Sequence, residues 1–121
     1  MVNLLILKMK MNYIIIYILI IIKKKLKELN LNNFNINNVT NMNDMFLGCS
    51  SLKEINLNNF NTNNVTNMES MFDKCSSLKE LNINNFNTNN VKDKRFMFKG
   101  CSNELKIQIK TQYKNIKEAF L

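Results

Sequence analysis

Three cysteines, Cys49, Cys75 and Cys101, stand 26 residues apart. Thiols ligate metals and pair as disulfides, so their spacing is the first chemistry to weigh. Zinc sites draw on ligands paired at short range, such as C-x2-C, often completed by His, and this chain has no His. An odd number of cysteines does not close into a disulfide framework. The equal intervals predict a different role: one inward column of thiols behaving as small hydrophobes. Met45, Met71 and Met97, and Phe46, Phe72 and Phe98, repeat at the same interval and read as core columns. There is no glycine-rich phosphate loop, no G-x-S-x-G and no acid pair outside the repeated columns, the patterns that nucleotide and acyl-transfer chemistry use. The sequence therefore predicts a non-enzyme without metal or cofactor.

Recognition is the other chemistry available. Lys27, Lys53 and Lys79, Glu28, Glu54 and Glu80, Asn30, Asn56 and Asn82, and Asn32, Asn58 and Asn84 form four polar columns. On extended backbone the Asn positions alternate outward, so the twelve side chains make a ladder-like face. This face is the candidate surface for a protein or host-matrix partner; a merely solvated face is the competing reading. Asn33, Asn59 and Asn85, and Asn38, Asn64 and Asn90, belong to turns. The chain has 25 Asn, no Pro and two Gly, so Asn, which bonds its own main chain and tolerates left-handed backbone, must shape the turns. AT-rich coding contributes to the same enrichment. Asn38-Val39-Thr40 and Asn64-Val65-Thr66 match the N-glycosylation pattern, which has meaning only in a eukaryotic secretory setting.

The elements that position these groups follow from a repeat of 26 residues. Leu26, Leu52 and Leu78 fall in register, as do Leu29, Ile55 and Leu81, and Val39, Val65 and Val91. A fixed period of ~20–50 residues is the mark of a stacked array. The units are 26–51, 52–77 and 78–103. In unit two, Ile55 and Leu57 alternate as a strand does. Met68, Met71, Phe72 and Cys75 then take the i, i+3, i+4, i+7 spacing of a helix face. Thr66 with Glu69 resembles a capping box, predicting a short helix from about Asn67. The fold class is accordingly an α/β repeat: a short leucine-rich-repeat solenoid, with a parallel β-ladder on one side and short helices on the other. One unit alone buries too little apolar surface to offset its ordering, so three stacked units are needed.

L-x-x-L-x-L followed by NF-x-T-x-NVTNM-x-x-MF-x-x-CSSL resembles the BspA-like bacterial surface protein family of 26-residue leucine-rich repeats. Residues 52–81 carry the pattern in full, and the resemblance extends over about 26–101. Unit three departs from it, with VKDKRFMF in place of VTNM-x-x-MF. The resemblance implies a leucine-rich solenoid on a cell-surface or secreted protein, with a role in adhesion or host contact. Members generally carry many more repeats, which keeps open a second reading, a structural fragment of a longer array with no ligand of its own.

The two ends differ from the middle. Residues 1–27 hold six Lys and no acid, residues 28–91 three Lys against six acids, and residues 92–121 eight basic residues against three acids. A nucleic-acid binder concentrates positive charge on its folded surface; these repeats are mildly acidic, which argues against nucleic acid. Residues 1–25 contain an apolar run flanked by Lys8, Lys10 and Lys23 to Lys25. They read as an uncleaved signal or membrane anchor, as an apolar segment capping the first unit, or as a misplaced start. The lysines offer contact with anionic lipid, the basis of a weaker third function. Residues 104–121 are expected to form a degenerate cap, with Leu105, Ile107 and Ile109 alternating as an edge strand and Tyr113, Ile116, Ala119 and Phe120 in a short helix.

Overall fold

Which side chains lie inside is set by the repeated apolar columns, and the backbone follows them into register. The computed structural model of the chain describes residues 21–120. Strand β1 (Glu28–Asn30) pairs in parallel with β2 (Glu54–Asn56), matching Glu28 with Glu54, Leu29 with Ile55 and Asn30 with Asn56. Parallel bridges at Asn41–Asn67 and Asn67–Asp93 keep the same offset through unit three. Equivalent residues are thus vertical neighbours. Phe46, Phe72 and Phe98 stack with ring centroids 5.3 and 5.6 Å apart, a separation that favours aromatic pairing. One column is thinner at the flanks than in the middle: Phe60 is buried, whereas Phe34 and Phe86 are half-buried, since only Phe60 has a full repeat unit on each side.

The helix expected from Asn67 does not form; residues 69–74 are turns, and the corresponding stretches of the other units are turns as well. The N–H groups of Met68, Ser70, Phe72 and Lys74 donate to the carbonyls of Asp93, Arg95, Met97 and Lys99 in the next unit, at 2.7–3.0 Å. Between them, Met71, Asp73 and Cys75 donate to the residue three before, closing successive tight turns. An α-helix from Asn67 would turn the Ser70, Phe72 and Lys74 donors to carbonyls four residues back in their own unit and take them from the ladder. Ser70 and Lys74 take positive φ, +54° and +61°, left-handed backbone that is incompatible with a right-handed helix. The apolar spacing therefore survives while its helical interpretation fails.

Asparagine supplies the remaining turns. In each unit an Asx side chain accepts the N–H two residues on, at three places: Asn30, Asn35 and Asn41 in unit one, Asn56, Asn61 and Asn67 in unit two, and Asn82, Asn87 and Asp93 in unit three. Other Asn side chains join the units. Asn59 Nδ2 donates to Asn32 O (2.9 Å), Asn64 Nδ2 to Asn37 O (2.6 Å) and Asn90 Nδ2 to Asn63 O (2.8 Å), and Asn85 Nδ2 donates to Asn58 O. Buried Thr62 bridges units in the same way, its Oγ1 accepting from Asn87 N–H and donating to Asn87 O.

Residues 103–112 are not the edge strand that their alternation suggests but helix α1 (Asn103–Gln112). Ser102 is its N-cap, the hydroxyl accepting from Leu105 N–H, and Glu104 in the first turn favours the same start. Leu105 and Ile109, four apart, are buried, while Ile107 is 65% exposed; a strand would have faced all three one way. A 3-10 segment, Lys114–Phe120, follows. It places Phe120 on the aromatic column, 5.5 Å from Phe98, and Ala119 O accepts from Phe98 N–H. Ala119 and Phe120 thus take the positions that a Met-Phe pair holds in each unit. At the opposite edge, residues 21–25 are helical and Lys23, 3% exposed, donates from Nζ to Asp44 O and Leu47 O. The remainder of the predicted signal or anchor segment, residues 1–20, lies outside the described residues. No helix among the described residues is long and apolar enough to cross a membrane.

Candidate functional site

The outward side chains of the strand column and the inner face of α1 enclose an open groove of about 1000 Å³. Of the predicted face, Glu28, Asn30, Lys53, Glu54, Asn56, Glu80, Asn82 and Asn84 line it. Lys27, Asn32, Asn58 and Lys79 do not. Lys27 contributes its carbonyl, which accepts from Lys53 N–H at 2.8 Å, and Lys79 turns to Glu104 at 3.3 Å on the exposed rim of α1. Asn32 and Asn58 sit on the turn beyond the strand, where their carbonyls receive Asn59 and Asn85.

Three groove residues, Gln108, Gln112 and Tyr113, escape a reading based on repeat columns because they come from the cap. Gln108 carries the clearest geometry. Its Oε1 accepts from Leu81 N–H at 2.9 Å and its Nε2 donates to Leu81 O at 3.0 Å. A carboxamide offers a donor and an acceptor side by side, as a peptide group does, so Gln108 occupies the place of a further strand. Its second amide hydrogen reaches Gln112 Oε1 at 2.6 Å, and Tyr113 Oη accepts from Ile83 N–H at 3.1 Å. The cap therefore closes the edge of the ladder and builds one wall of the groove. A Gln at i and i+4 beside a Tyr, opposite the charged stripe of the helix, is the signal available in the sequence.

The groove chemistry is polar and acidic, with Glu28, Glu54 and Glu80 against Lys53. Glu28 and Glu54 stand in direct register, about 4.8 Å apart by strand spacing, and their repulsion across water is under about 1 kcal/mol. Asn30, Asn56 and Asn82 each commit Oδ1 to a turn, which leaves their amide Nδ2 groups as donors beside the carboxylates. The face can thus offer carboxylate acceptors and amide donors in alternating columns.

The thiols lie away from the groove and are buried. Cys75 Sγ donates to Phe46 O at 3.2 Å and Cys101 Sγ to Phe72 O at 3.1 Å, the same bond one unit later. The Cys49 side chain hydrogen-bonded to it, together with burial, pushes the Cys75 thiol far above its usual range, and burial pushes Cys101 up to about 11. Both stay protonated at neutral pH and are poor nucleophiles. Among the described residues no group of three or more Cys, Asp or Glu is placed to hold a metal ion.

Comparison with known proteins returns no match among curated proteins and none among solved structures. One family model, described as "Mycoplasma protein of unknown function, DUF285", matches residues 20–119, spanning all three units and nearly all of the cap. By that match, the chain belongs to the DUF285 family.

Proposed function

We propose that this chain is a non-catalytic binding module, a short leucine-rich-repeat solenoid of the BspA-like kind that serves adhesion at a cell surface. Its contact surface is the polar groove, and its partner is a protein or a host-matrix ligand. The observation that carries this reading is that eight of the twelve predicted face residues converge on one groove, completed by side chains from the cap. Repeat proteins use such extended faces for recognition. The test coats beads with the full chain and measures adherence to host cells and to matrix. Reversing Glu28, Glu54 and Glu80 to Lys should lower adherence at least tenfold, while Lys92→Gln, outside the groove, should not. Equal adherence of all three proteins would remove the groove as the contact surface.

A structural role without a ligand is favoured by a separate observation. Asn30, Asn56 and Asn82 of the groove spend their Oδ1 atoms on turns, which gives the repeat of Asn at this column a backbone role. Failure to bind any surface, with an unaltered fold, would select this second reading.

A further inference from the structure

The internal repeat is its own control for unusual residues. Positions held by Thr66, Glu69, Ser70 and Asp73 in unit two are Lys92, Arg95, Phe96 and Lys99 in unit three. The ladder is unchanged there: Thr66 O accepts Lys92 N–H at 2.8 Å, and the carbonyls of Arg95 and Lys99 accept from Ser70 and Lys74. The backbone therefore does not require the change. Phe96 in particular adopts φ +58°, where the same turn elsewhere holds Asp44 and Ser70. A bulky residue in that conformation is strained, and the ring is only half-buried.

The cap adds to the same surface. A hollow of about 250 Å³ is lined by Phe96, Phe98, Phe120, Lys99, Lys106 and Lys110, and a neighbouring one of about 330 Å³ by Lys110, Tyr113, Lys114 and Phe120. Among the described residues no acidic side chain lines either hollow. Lys99 Nζ lies 5.2 Å from the centre of the Phe96 ring and Lys110 Nζ 4.8 Å from that of Phe120, so ring faces hold both ammonium groups. Asp93 is bidentate to Arg95, and Glu104 pairs with Lys79. On the outer side of α1, Ile107 is 65% exposed between Lys106 and Lys110.

We propose that this strip of lysines and aromatic rings at the C-terminal end of the stack docks on an anionic lipid surface. Lysines around a shallow apolar floor meet phosphate headgroups, while Ile107 and the ring edges enter the headgroup boundary, as interfacial helices do. The spread of charge over two open hollows suits a surface more than one small anion. The strip meets the polar groove only at Tyr113, which lines both, and it is separate from the lysines that precede unit one.

The chain has no Trp, so Ile107→Trp in the full-length protein gives one local reporter, blind to contacts made by the N-terminal segment. Its emission should shift to the blue with vesicles containing phosphatidylglycerol and stay unchanged with pure phosphatidylcholine. In that background, replacing Lys99, Lys106 and Lys110 by Gln should weaken the partitioning on the order of 100-fold, from about fivefold per lysine near an anionic surface. Replacing the same three by Arg should preserve it, and circular dichroism verifies the fold of each variant. An equal shift on neutral vesicles, or a shift that survives the triple Gln change, would overturn the proposal. So would a shift produced by heparin or RNA but not by anionic vesicles.

Discussion

Removal of one carboxamide should loosen the C-terminal edge of the stack. In Gln108→Ala, Leu81 loses the acceptor of its N–H and the donor to its C=O together. Leu81 is 3% exposed, and each buried backbone group left without a partner costs ~1–3 kcal/mol. The groove admits water to part of this site, and Ala gains a few tenths of a kcal/mol in helix propensity, so the net cost should be about 2–3 kcal/mol. At ~4–8 °C per kcal/mol for a domain of this size, the melting temperature should fall by roughly 10–20 °C. Gln108→Glu separates the two bonds. The carboxylate still accepts from Leu81 N–H but cannot donate to Leu81 O, so its loss should be intermediate. The assays are urea unfolding and amide hydrogen exchange, with Gln112→Ala as the comparison. The Leu81 amide should exchange faster in the Ala variant than in the Glu variant. If Gln108→Ala lies within 0.5 kcal/mol of the parent, roughly the scatter of ordinary surface changes, and Leu81 stays protected, the cap does not act as a substitute strand.

Other expectations follow from the same structure. Phe72 is fully buried between two stacked rings, so Phe72→Ala should cost ~3–5 kcal/mol, and Phe120→Ala, at the half-buried end of the column, clearly less; equal losses by denaturant titration would deny the stack its middle. Gly48 and Gly100 both have positive φ, but a Cβ at Gly100 would meet Lys74 backbone atoms at 3.2 Å whereas one at Gly48 meets nothing within 4 Å. Gly48→Ala should therefore cost ~1 kcal/mol of backbone strain and Gly100→Ala more, and thermal melts that rank them the other way would contradict the packing. Burial raises Cys101 from 9.0 to about 11, so folding favours its protonated form. That stabilisation is complete below about pH 9 and is lost as pH rises towards 11. The gap in unfolding free energy between the parent and Cys101→Ala should narrow over this interval, and a gap independent of pH would show the thiol to be unperturbed.

Much of this molecule is legible in its letters. The interval that separates Cys49, Cys75 and Cys101 names the columns, and the columns name the interior, because stacked units place like residues against like. Asn without Pro announces turns, and the Asx bonds at Asn30, Asn56 and Asn82 fulfil that part of the reading. The strand-face columns point to most of the groove. Where local pattern misleads, the cause is a competition for hydrogen bonds that no single segment contains. Met68, Met71, Phe72 and Cys75 satisfy a helical period, yet the adjacent unit offers carbonyls to alternate N–H groups, and turns with Ser70 and Lys74 at positive φ serve both demands.

The end of the stack shows the converse. Leu105, Ile107 and Ile109 alternate as in a strand, but Ser102 caps a helix that buries Leu105 and Ile109 and turns Gln108 towards Leu81. By itself, then, the sequence determined the repeat, its inward columns and its turn chemistry, since these depend on residue type at fixed spacing. Only the tertiary structure decided which backbone donors leave their own unit, which side chain closes the last ladder edge and where the groove gains its second wall. Those choices depend on what stands opposite each group, and the neighbour is supplied by the folded chain.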